Sequence, residues 1–150
     1  MIRYSVFVGL VLAASPVMGT RVLGIGLPDL VKRAELVADV EVLKDSSSSF
    51  WVDGRIFTRR TALVRATWKG FSSVKTVNIV TRGGVVGRIG QRVDGEAVLD
   101  EGARGVAFLI YVPSLDGYRV VALAQGFVPL GDGDTALAHE LEVSVRSYGR

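Results

Sequence analysis

Ile56-Phe57-Thr58-Arg59-Arg60-Thr61-Ala62-Leu63-Val64-Arg65-Ala66-Thr67-Trp68-Lys69 reads as one unbroken β-strand. Ile56, Ala62, Val64, Ala66 and Trp68 share one parity, with Thr58 and Arg60 as exceptions. Arg55, Phe57, Arg59, Thr61, Leu63, Arg65, Thr67 and Lys69 share the other. Successive strand side chains point to opposite faces, so the first set is expected inward and the second outward. Most strands run about 5–6 residues. One of this length is expected to coil or to carry a bulge, here near Arg59-Arg60 where the pattern slips. A long bent strand that passes from one half of a sheet to the other suits a small closed barrel.

The flanking segments agree. Pro28-Asp29 before Leu30, Val31 and Ala34 predicts a short helix. Leu36 to Lys44 alternates, with Asp39 and Glu41 opposite Leu36, Ala38, Val40 and Val42, and reads as a half-buried strand. Asp45 to Ser49 reads as a polar loop, and Asp53-Gly54 as a tight turn into the long strand. Val74 to Thr81 is rich in β-branched residues and predicts a third strand. Arg82 to Gln91, with four glycines, reads as a loop folded over the barrel. Gly105 to Val112 is continuously apolar, as in a strand buried on both sides. Tyr118 to Ala124 pairs back as a hairpin, and Gln125 to Leu130 closes the core. The fold expected is mainly β: a five-stranded barrel over residues 20–130 with a short N-terminal helix. Residues 131–150 form a C-terminal tail, read as either a short helix or an edge strand. With no alternating βα rhythm, a doubly wound fold is excluded.

Several of these pieces carry a resemblance. Asp29-Leu30-Val31 and Ala34-Glu35-Leu36-Val37 precede the first strand. Trp68-Lys69-Gly70-Phe71 ends the long one, and Tyr118 to Gly126 follows the apolar strand. In this order the chain resembles the netrin-like module, the OB-type barrel of tissue inhibitors of metalloproteinases. Those proteins also end their second strand in an aromatic-Lys-Gly sequence. It is also similar to cysteine-free exported bacterial proteins with a Gly-Gly-x-x-Gly loop and a late segment like Ala124-Gln125-Gly126-Phe127. The resemblance implies an OB-like barrel and a protein partner such as a secreted metalloprotease. The animal inhibitors chelate the protease zinc through an N-terminal cysteine. This chain has Cys 0, so no inhibitory residue is carried over.

Export is expected from residues 1–19. Arg3 precedes the apolar stretch Val6 to Ala14, and Ser15 to Gly19 offers helix-breaking Pro16 and small residues for a signal peptidase. The apolar stretch is shorter than the ~20 residues of a membrane span. The mature chain is expected to begin near Thr20 and to reside in the periplasm or outside the cell. Without disulfides its stability must come from packing.

Enzymatic chemistry finds little footing. There is one histidine, His139, in a polar segment, no cysteine nucleophile and no Gly-x-Ser-x-Gly elbow. The acids Glu96, Asp100 and Glu101 read as a solvated turn, and Asp132 and Asp134 as an ordinary turn. No metal site and no cofactor is expected, and a net charge of +3 is too small to mark a nucleic-acid binder. Charge distribution is more informative. Residues 55–92 hold nine basic side chains and no acid. The candidate binding residues are Arg55, Phe57, Arg59, Arg65 and Lys69 on the outward parity, with Arg82, Gly83, Gly84 and Arg88 in the glycine loop. Cations interleaved with an aromatic suit either an acidic protein surface or an anionic envelope glycan or lipid headgroup. The structural reading of the same arginines is decoration of an exposed strand.

Overall fold

The computed structural model describes residues 24–71 and 73–150. The expected export segment at 1–19 lies outside them. The chain folds as α1 (Leu27–Arg33), β1 (Leu36–Val42), β2 (Ser48–Val52), β3 (Arg55–Lys69), β4 (Thr76–Arg82), β5 (Gly84–Val86), β6 (Ile89–Gln91), β7 (Arg104–Val112), β8 (Gly117–Val120), β9 (Phe127–Pro129) and α2 (Thr135–Tyr148). Neighbours run β1-β3-β4-β8-β7, and β7 returns to β1 to close the barrel. Every pairing in that ring is antiparallel except β4 with β8. Five strands closed in this order make an OB-type barrel. β2 adds to β3, β9 adds to β7, and β5 and β6 form a separate hairpin.

The barrel interior holds Leu36, Ala38, Val40, Val42, Ala62, Val77, Ile79, Ala107, Leu109 and Phe127. A second cluster lies between the barrel wall and the two helices, built from Leu30, Val31, Val37, Trp68, Val106, Phe108, Leu130 and Val145. It explains a departure from the sequence pattern. β1 is buried on both faces, not one, because the helices cover its outer side. Asp39 is caught beneath that layer and is held by Arg104 through two bonds of 3.1 and 2.7 Å. This pairing also raises the Arg104 pKa.

α1 starts with Pro28 and Asp29 in its first turn and ends with Lys32 and Arg33, in accord with its dipole. Its last carbonyls are met from outside: Lys69 Nζ donates to Val31 O at 2.7 Å and Ala34 O at 2.6 Å. The C-terminal stretch is a helix, and Val145 is its fully buried anchor.

The long strand has its irregularities at the opposite end from the one expected. Register with β1 shifts between Val37 and Ala38 and between Asp39 and Val40. These shifts leave Trp68 and Arg65 as the extra residues, while through Arg59-Arg60 the pairing with β4 is regular and the other edge of β3 passes from β2 to β1. A bulge resets the alternation. Beyond Arg65, Thr67 therefore pairs with inward Ala38, Ala66 is exposed, and Trp68 turns out to the helices. The slip at Thr58 and Arg60 has another cause. They lie on the barrel's inner face at its mouth, where polar groups replace core.

Candidate functional site

The basic tract does not form one continuous outward face. Phe57 is buried with Val80 and Leu115 in a third apolar cluster. Arg59 lies over that cluster: its Nη2 donates to Leu115 O at 2.7 Å, and its guanidinium stands 4.8 Å from the Phe50 ring centroid. Arg65 pairs with Glu41 at 2.6 Å on an exposed surface. Lys69 is committed to α1. Arg82 and Arg119 both bond Glu96 Oε1, at 2.6 and 2.9 Å. Four of the candidate cations, Arg59, Arg65, Lys69 and Arg82, thus have partners inside the molecule. Arg55 and Arg88 are exposed and make no ion pair among the described residues.

Glu96 was expected in a solvated acidic turn. Its side chain is only 9% exposed, because it draws two arginines from separate strands. Sequence spacing gives no sign of this, since Arg82, Glu96 and Arg119 meet only through the parallel β4–β8 contact.

The glycine pair has a steric reason to be glycine. Gly83 and Gly84 have φ of +93° and +132°. A Cβ on Gly84 would overlap Thr58 Oγ1 and lie 2.6 Å from Ser49 Oγ. Thr58 Oγ1 itself donates to Gly83 O at 2.7 Å. The segment beyond is the β5–β6 hairpin, not an open loop, and it packs against β2 and β3. It leaves Val85 65% and Ile89 55% exposed.

Two recesses flank this assembly. The first opens at the barrel mouth, about 280 Å³, between Thr58, Arg60, Thr81, the Gly83-Gly84 backbone, Gln91 and the 93–100 segment. Arg60 Nη1 donates to Thr81 Oγ1 at 3.2 Å, and no carboxylate among the described residues pairs with it. Val98, 72% exposed, is among the lining residues. The second recess, about 400 Å³, lies on the outer face between Asp53, Arg55, Phe57, Leu115 and Arg119. The residues that sequence reasoning missed are Arg60, Val85, Ile89 and Val98. Their available signal was an arginine on the inward parity and aliphatics among glycines.

Among the described residues no group of three or more His, Cys, Asp or Glu is placed to hold a metal ion. No helix of the described residues is long and apolar enough to cross a membrane. No family model and no curated protein matches the chain.

Proposed function

We propose that the protein is an exported, non-enzymatic module that binds a protein partner through the rim of its barrel mouth. The observation that carries this reading is the character of that rim. The β5–β6 hairpin borders the recess through Gly84 and Gln91 and exposes Val85 and Ile89 nearby in the chain, while exposed Val98 and Arg60, which has no carboxylate partner among the described residues, line the recess itself. Exposed aliphatic side chains set among polar groups are common in protein contacts. The resemblance to protease inhibitors makes a secreted protease the first partner class to examine. The apolar stretch 6–14 supports placement outside the cytoplasm.

A second reading, an anionic glycan or lipid headgroup on the basic face, keeps Arg55 and Arg88. It loses force where Arg59, Arg65, Lys69 and Arg82 are already engaged.

The test is affinity capture from culture fluid and envelope extract at low and high salt, followed by reconstitution with the purified partner. A partner of defined stoichiometry, retained in high salt and lost on Val85→Asp or Ile89→Asp, supports the first reading. Acidic material that salt removes, and that Arg55→Glu with Arg88→Glu abolishes, supports the second.

A further inference from the structure

β2 has an open edge, and its hydrogen-bonding direction can be read from β3. Ile56 O accepts from Gly83 N, Ile56 N donates to Gln91 Oε1, and Val64 N donates to Lys75 O. From Ile56 to Val64, before the bulge at Arg65, even-numbered residues of β3 therefore direct their backbone groups to the β4 side. Thr61 points the other way: its O accepts from Leu43 N and its N donates to Ser46 Oγ. Antiparallel pairs alternate between hydrogen-bonded and non-hydrogen-bonded. Ser48, Phe50 and Val52, opposite Arg59, Phe57 and Arg55, are the bonded positions. Ser49 and Trp51, opposite Thr58 and Ile56, direct N–H and C=O off the free edge. Among the described residues nothing pairs with them.

Such an edge is normally guarded by a charge, a proline or a bulge. β9 is three residues long and ends in Pro129. β2, Ser-Ser-Phe-Trp-Val, has none of these guards, its register with β3 is regular, and its Trp51 is 43% exposed.

We propose that β2 pairs antiparallel with β2 of a second copy of this chain, about a two-fold axis at Phe50. In that register Ser49 lies opposite the partner's Trp51, and Trp51 opposite the partner's Ser49. Each pair exchanges two backbone hydrogen bonds, because these are the residues whose groups face outward. Phe50 meets the partner's Phe50 at a non-hydrogen-bonded position, as its own groups are spent on β3. The strand is its own complement, and it has no charge, so self-pairing sets no like charges opposite one another. The contact is small, so a reversible, concentration-dependent dimer is expected. The pairing uses Ser49, Phe50 and Trp51, none of which lines the recess at the barrel mouth.

The test is sedimentation equilibrium and amide hydrogen exchange on the purified protein, from micromolar to millimolar concentration. The expected result is a monomer–dimer equilibrium. The Ser49 and Trp51 amides should gain protection with concentration, while that of Phe50 is protected throughout. Trp51→Pro removes an outward N–H and no bond to β3. Trp51→Lys keeps the backbone and adds an edge charge. Each should weaken the dimer about tenfold or more, with Trp68 fluorescence showing an intact barrel. Should the proline variant misfold, the lysine variant and the exchange pattern decide. A protein that stays monomeric, with Ser49 and Trp51 amides unprotected at every concentration, overturns the proposal. So does a dimer that the folded Trp51 variants leave unchanged.

Discussion

The two partners of the Asp39–Arg104 pair are not equally placed. The Asp39 side chain is 8% exposed and the Arg104 side chain 38%. Arg104→Ala strands a carboxylate beneath the helices and is expected to cost about 2–4 kcal/mol. Asp39→Ala leaves a guanidinium that can turn to water and should cost less, about 1–2 kcal/mol. Urea denaturation of both variants checks the order. The glycines offer a second contrast at this scale. Gly84→Ala meets Thr58 and Ser49 at positive φ, whereas Gly87, with φ of +61°, has nothing within 4 Å of an added Cβ. The first change should cost about 2–4 kcal/mol and the second about 1 kcal/mol, read as a difference in denaturation midpoint.

Tyr111 supplies the pH-dependent case. Its hydroxyl donates to Asp116 Oδ1 at 3.0 Å, and that bond, then partial desolvation and the carboxylate charge, raise the phenol above its ordinary pKa. The fold favours the neutral phenol, so the stabilisation is complete below the ordinary tyrosine value. It is lost as pH rises through the raised one. Asp116→Asn should move Tyr111 titration to lower pH, seen as ultraviolet phenolate absorbance absent from the Tyr111→Phe protein.

At the scale of elements, β3 links the barrel to its helical cover through one side chain. Lys69 Nζ bonds two carbonyls at the end of α1, a helix of 7 residues that cannot hold itself together alone. Lys69→Met keeps the aliphatic stem and removes both bonds. The expected cost is about 1–2 kcal/mol, with faster amide exchange confined to α1 and the start of β1. A charge-reversal screen that includes Lys69 would therefore confuse loss of this cap with loss of binding. Arg59 and Arg82 raise the same problem, since Leu115 O and Glu96 hold them in place.

For the whole molecule, α2 seals the cluster that α1 begins. Val145 is fully buried and Trp68 is 7% exposed beside it. Val145→Asp places an unpaired charge there and is expected to cost about 3 kcal/mol or more. Trp68 emission should shift to the red well below the temperature at which barrel circular dichroism is lost. Coincident loss of both signals would show that helices and barrel unfold as one unit.

Much of this architecture was legible in the chain itself. The alternation of Leu36 to Val42, the shared parity of Ile56, Ala62 and Val64, the Asp53-Gly54 turn and the apolar stretch at 105–112 marked strands and core, although burial of that stretch ends at Leu109 and Ile110 and Tyr111 are exposed. Pro28-Asp29 marked α1, and positive charge without acids marked residues 55–92. Tertiary structure alone decided where those charges go. Arg82 and Arg119 meet Glu96, and Lys69 meets α1, through contacts between residues distant in sequence. Bulges at Arg65 and Trp68 reset parity in response to pairing with β1. The free edge of β2 exists because β2 pairs with β3 alone, so its other side has no strand among the described residues. Local sequence determines which residues prefer a strand and which face can be apolar. Which neighbour satisfies each charge and each backbone edge is settled by closure of the barrel.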